Sequence, residues 1–263
     1  MTTVAPRGEA VSPVSVCLLG SFRLLQHGAP VAVRRGGKVE QLLGSLALSV
    51  RVGIARDELL GLIWPDSNLQ LAGQSLNSLV YSLRKVFRPA LPSHSPILER
   101  AGRYLLNLED GVRVDVVDFD AAVEEGDRLV RVGEAASAIE SYQGALDLYR
   151  GDLAAGSSVQ HLVERERLRA RYLSVKAHVA DHHFENAEYE AALASALQLL
   201  AHDPCREDAH RMAMRCYVRL GIRAQAVRQY RTCRQILADE FDALPESDTD
   251  ALYDRVRLDP GSV

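Results

Sequence analysis

The chain has 263 residues, 47% apolar and 25% charged, the balance of an ordinary globular protein. That length predicts about two domains, each large enough to bury a core without disulfide or metal staples. Formal net charge is −4, which alone argues nothing about a nucleic-acid partner. The charges are unevenly placed. Residues 1–110 hold twelve Lys and Arg against eight Asp and Glu, and the remainder nineteen against twenty-seven. A weakly basic front and an acidic back point to different partners. Cys17, Cys205, Cys216 and Cys233 show no C-x-x-C spacing, which fits a reducing cytosol. No apolar run approaches the ~18 residues of a membrane span, so no membrane partner is expected and the chain reads as cytoplasmic. "MTTVAPRGEAVSP" lacks the apolar centre of a signal peptide, and residues 1–13 are expected as a disordered tail.

Residues 14–33 read as short strands: "VSVCLLG", "FRLLQ", a hairpin turn at "HGAP" and then "VAV". "KVEQLLGSLALS" (38–49) places Val39, Leu42, Leu43 and Leu46 at helical spacing. "ARDELLGLIW" (55–64) is a second helix, stopped by Pro65, and Trp64 reads as core. Asp66, Ser67 or Asn68 can cap a third helix, "NLQLAGQSLNSLVYSLRKVF" (68–87). After the loop "PALPSHSP" comes a hairpin, strands 97–100 and 104–108 around Gly102. Sheet, three helices and hairpin are the outline of a winged helix-turn-helix, assigned to residues 14–110.

From 111 to about 258 the chain reads as an all-α domain of paired helices, with residues 259–263 as a tail. Ala138, Ala192 and Ala226 are each followed four residues later by Tyr142, Ala196 and Tyr230, and seven later by Ala145, Leu199 and Cys233. The 34-residue step from Ala192 to Ala226 is the tetratricopeptide period. The earlier step, from Ala138, is 54 residues, which predicts an insertion or an extra helix. The fold class expected is therefore mainly α with a small β component: a winged helix-turn-helix followed by a tetratricopeptide-like all-α domain.

The third helix carries the candidate chemistry. One face is apolar (Ala72, Leu76, Leu79, Val80, Leu83, Val86, Phe87); the other shows amides and hydroxyls first and positive charge last. Sequence is read at base edges, whereas phosphate contacts position the protein. Gln74 and Asn77 can each pair bidentately with adenine, and Arg84 with guanine. Ser78 and Tyr81 lie on the same face. Lys85 and Arg88 at its end, Arg34, Arg35 and Lys38 before the first helix, and Arg56 opening the second are phosphate candidates. Arg100 and Arg103 flank the wing turn and suit the minor groove. A solvated polar face is the ordinary alternative for every one of these.

Enzyme chemistry finds little support, and no cofactor is expected. "RRGGK" (34–38) lacks the first Gly and the Ser/Thr of a P-loop. His178 and His182, with His183 adjoining, have zinc-compatible spacing but no H-E-x-x-H or Cys partner. Asp115, Asp118 and Asp120 lack the Gly and final Glu of an EF-hand, and helix capping by Asp118 or Asp120 is the better reading.

Taken together, these residues resemble the Streptomyces antibiotic regulatory protein family, in which an OmpR-type winged helix joins a bacterial transcriptional activation domain. The segments that carry the resemblance are "LLGSFRLLQHGAPV", "RDELLGLIWPD", "SLRKVF", "GRYLLNL", "VDVVDFDAAV", "ALDLYRGDL", "ERERLRARYL" and "DPCREDAHRMAMRCYVRLGIRAQAVRQYRTCRQILADEF". The resemblance implies a sequence-specific transcription activator, not an enzyme. Its partners would be double-stranded promoter DNA, bound as a homodimer on direct repeats, and RNA polymerase. Its target genes would serve secondary metabolism. Relatives often carry Arg or Asn around Gly73, Gln74 and Asn77 and Arg near Ser82; those positions are neutral here. Two alternatives are a protein-interaction scaffold with a degenerate winged helix, and a regulator gated by a small molecule between the two domains.

Overall fold

The computed structural model describes residues 12–154 and 159–263; most of the expected N-terminal tail lies outside them. The fold is mainly α with a small β component, ten α-helices and two small sheets among the described residues. The chain divides into two compact units, one of residues up to 122 with 147–168, the other of residues 123–146 with 169–263.

In the first unit, β1 (Val14–Cys17) pairs antiparallel with β2 (Arg23–Gln26), which pairs with the short β3 (Ala29–Pro30). The His27-Gly28 turn between them has φ of +48° and +79°, the two positive values that a type I′ hairpin needs. β7 (Val112–Val114) closes the sheet on the other side of β1, in parallel. Its alternation, with Val112 and Val114 buried and Arg113 exposed, matches the two-residue period of a half-buried strand. Sheet pairing therefore continues past residue 110.

The three expected helices form: α1 (Lys38–Leu48), α2 (Arg56–Ile63) and α3 (Leu69–Phe87). Of the three cap candidates it is Asn68 whose side chain accepts the Gln70 amide, at 2.8 Å. Pro89 follows the end of α3 and bars its continuation. A second sheet, in the order β4 (Ile54–Ala55), β6 (Arg103–Leu106), β5 (Ile97–Arg100), makes the wing. Its turn, Ala101-Gly102, again has two positive φ values. Leu42, Leu46, Leu59, Ile63, Leu76, Phe87 and Ile97 are all buried. Trp64 is only partly buried, with the Lys38 ammonium over its ring at 5.7 Å.

The long helical half is interrupted. Residues 149–154 are not helical and run against the loop after β1: Ala154 N–H donates to Leu18 O (2.7 Å) and Gly20 N–H to Asp152 O (3.0 Å). A Cβ on Gly20 would come within 3.3 Å of the Arg150 backbone, so this close approach needs glycine. Asp115 opens α4 (Asp115–Arg131), and its carboxylate accepts from the amides of Leu18 (2.7 and 2.9 Å) and Leu19 (2.9 Å). Burial pushes this carboxyl above its usual range, against the opposing pull of those two amides. Because the helix starts at Asp115, Asp118 and Asp120 lie inside it and do not cap it. Asp118 pairs with Arg113, and Asp120 with both ends of the Arg167 guanidinium.

In the second unit the repeat positions are core. Ala138, Tyr142 and Ala145 on α5 (Ala135–Leu148) are buried. So are Ala192, Ala196 and Leu199 on α7 (Tyr189–His202), and Ala226, Tyr230 and Cys233 on α9 (Arg223–Phe241). The partner helices are α6 (Val159–Glu185) and α8 (Glu207–Arg219), with α10 (Ser247–Leu258) closing the array. The 54-residue step therefore reflects the non-helical segment and a 27-residue α6, with no extra helix among the described residues. The expected tail is held instead: Pro260–Ser262 form a 3-10 turn, and Val263 is buried against Met214, Leu252 and Val256.

The histidines of α6 have structural partners. His178 stacks on Tyr142 at 5.6 Å, Asn186 bonds His182, and His183 bonds Glu188. Cys216 and Cys233 are buried, and burial pushes their thiols up to about 11 and about 12.

Candidate nucleic-acid interface

Helix α3 turns Ala72, Gly73, Leu76, Val80, Leu83 and Phe87 inward. That stripe recurs at three- and four-residue steps, as an amphipathic helix requires. Val86, assigned to the apolar face, is exposed, and Leu79 half-buried. The solvent side presents Gln74, Asn77, Ser78, Tyr81 and Lys85, with Tyr81 69% exposed.

The candidate residues divide by whether their polar groups are already in use. Gln74, Asn77, Tyr81, Lys85 and Arg88, and Arg34 and Arg35 before α1, are exposed, and their side chains bond no described group. Ser78 spends its hydroxyl hydrogen on the Gln74 carbonyl (3.0 Å), so toward a ligand it can only accept. Ser75 and Ser82 bond back in the same way, to Leu71 and Ser78.

Four candidate cations are committed to the fold. Arg84, a guanine reader on sequence, donates instead to Ser95 Oγ (2.9 Å) and Ile97 O (3.1 Å), tying α3 to β5. Arg56, read as a phosphate contact, donates to Tyr104 Oη (2.7 Å) and to Gly73 O (3.0 Å), joining α2, the wing and α3. Arg103 donates to the carbonyls of Val52 (2.9 Å) and Gly53 (2.8 Å), pinning the wing strand to the loop before β4. Lys38 bonds Ile63 O and Gln41 Oε1. Arg100 is exposed, with the Glu109 carboxylate at 3.8 Å.

These ties explain Gly73. A Cβ there would sit 3.1 Å from Arg56 Nη2, so glycine leaves room for the guanidinium to reach the helix backbone. Sequence reasoning missed this link because Arg56 and Gly73 are seventeen residues apart and nothing local marks the pair. It also passed over Leu69 and Leu71, exposed in the first turn of α3.

The winged-helix geometry places one uncommitted polar helix face beside a wing. The other half of the chain matches a family model, the bacterial transcriptional activator domain, over residues 114–257. The chain belongs to that family. The expected kinship with the Streptomyces antibiotic regulatory proteins holds. The regulatory protein AfsR of Streptomyces coelicolor is 25% identical over 247 residues, 92% of this chain but only 24% of AfsR. The regulatory protein DnrI of Streptomyces peucetius is 26% identical over 235 residues, 85% of each chain. Among solved structures, Mycobacterium tuberculosis EmbR superposes with a TM-score of 0.74 at 20% identity, covering 95% of this chain and 68% of that one. That likeness shows the fold. The transcriptional regulatory protein MoaR1 of Mycobacterium bovis is 25% identical over 224 residues, 83% of this chain and 71% of MoaR1, and no described helix is long and apolar enough to cross a membrane.

Proposed function

We propose that the chain is a cytoplasmic, sequence-specific activator that binds double-stranded promoter DNA and recruits RNA polymerase, on genes of secondary metabolism. The observation that carries this is the row of exposed, uncommitted Gln74, Asn77 and Tyr81 on the third helix of a winged helix. Docked in the major groove, the two amides suit adenine N6 and N7, and Ser78 accepts from a base donor. Lys85, Arg88, Arg34 and Arg35 meet phosphate, and Arg100 enters the minor groove. Arg84, Arg56, Arg103 and Lys38 hold the reading helix and wing in place. The acidic helical half suits a basic surface of the polymerase, and two protomers occupy direct repeats.

Binding to the chain's own upstream region across salt concentrations tests this. Four phosphate-facing cations predict a log–log slope of about −3.6. Asn77→Ala should relax preference at one base pair, whereas Arg35→Ala should weaken all sequences alike and reduce the slope by about 1. Failure to bind any promoter fragment of the genome overturns the proposal; equal, uniform effects of the two variants overturn the division of roles.

A further inference from the structure

The first turn of α3 puts two leucines in water: Leu69 is 69% and Leu71 62% exposed. Leu71 lies three residues before Gln74 and seven before Ser78, so it shares their face, opposite the buried line of Ala72, Leu76 and Leu83. Ser75 Oγ donates to the Leu71 carbonyl at 2.9 Å. The same turn carries no acidic side chain, as is also true of α5, α6 and α9. Acids there would stabilise the helix dipole. Leaving them out keeps negative charge away from a phosphate-lined groove.

In a docked helix-turn-helix the N-terminal residues of the recognition helix meet base edges. A leucine offers no donor or acceptor, and the apolar group on a major-groove base edge is the thymine 5-methyl. We propose that Leu71 reads a thymine methyl, one to two base pairs from the base read by Gln74; this rests on the DNA-reading assignment of α3. The spacing follows from about 5–6 Å between side chains three apart on a helix, against about 3.4 Å per base step along one strand.

The experiment uses the full chain and the promoter fragment it protects. Each thymine of the protected site is replaced in turn by deoxyuridine, which removes only the methyl. One position should weaken wild-type binding about fourfold, the equivalent of exposing one methyl. In Leu71→Ala that position should become indifferent to the replacement, while Gln74→Ala keeps the effect. Leu71 is exposed and Ala is a good helix former, so thermal melting of Leu71→Ala should match wild type. Bound DNA with no sensitive thymine, or with the same sensitivity in Leu71→Ala, overturns this proposal alone. Absence of any protected site overturns it together with the activator reading.

Discussion

Arg56 and Gly73 carry the most consequence per atom in the first unit. The guanidinium reaches a helix carbonyl at 3.0 Å because no Cβ stands in its way. In an exposed helix, Gly→Ala gains about 1 kcal/mol; here that gain competes with the Arg56 bond. Gly73→Ala is therefore expected to be near neutral in the wild type, and to stabilise by about 1 kcal/mol once Arg56→Ala has removed the competitor. A urea double-mutant cycle measures this, and equal effects in both backgrounds would refute the link. In the second unit, His210 is 1% exposed. Its Nε2–H donates to Pro204 O (2.9 Å), and Nδ1 accepts from the Gln229 amide (2.7 Å). Burial lowers its pKa. The unfolded chain then takes up a proton near pH 6.5 that the fold refuses, so stability falls as pH drops below about 6.5. The slope is about 1.4 kcal/mol per pH unit until the folded imidazole titrates. His161, in the first unit, is shifted the same way, also by burial, so His210→Gln should reduce the slope of the whole chain without abolishing it. Melting temperatures between pH 5 and 7.5 would show this.

At the scale of elements, α5, α7 and α9 are spaced by small residues, and α5 and α9 are locked by tyrosines. Tyr142 Oη donates to Asp127 and Tyr230 Oη to Asp250, each at 2.7 Å, and the Tyr230 ring stacks on Tyr253 at 3.8 Å. Burial and the nearby carboxylate push the Tyr230 hydroxyl up to about 12, so it stays a donor. Gly126 of α4 packs so tightly on Tyr142 that a Cβ would fall 2.3 Å from the ring. Gly126→Ala should therefore destabilise by about 2 kcal/mol despite its better helix propensity, the cost of overpacking outweighing the gain. An unchanged urea midpoint would rule this out. The repeat was legible in the sequence, since Ala138, Ala192 and Ala226 mark equivalent helical faces, the last two 34 residues apart. Gly126 was not, because its partner lies on another helix.

For the whole molecule, the winged-helix unit draws on chain beyond its own segment. β7 covers one edge of β1, and Asp115 satisfies two buried amides. A fragment ending at residue 110 loses both. Each buried amide left without an acceptor costs about 1–3 kcal/mol, so that fragment should unfold at lower urea than the full chain's first unit, without a sharp transition by circular dichroism. A cooperative transition at the full-chain midpoint would show that residues 112–115 contribute little. Charge acts at this scale too, through a basic front and an acidic back. It bears on partner choice, not on fold.

By itself the sequence determined the fold class, the three helices and wing hairpin of the first unit, the repeat positions and most of the face of α3 that meets solvent. These follow from local periodicity and turn chemistry, which act within a few residues. Only the tertiary structure decided which cations remain available. Arg84, Arg56 and Arg103 resemble Arg88 and Arg35 in a linear reading, yet their guanidinium groups are held by carbonyls and hydroxyls brought in from 11 to 51 residues away. Other long-range contacts put Asp115 beneath the Leu18-Leu19 amides, and Leu71 stays in water. A residue's reach is set by what folds against it, and that is not written beside it in the chain.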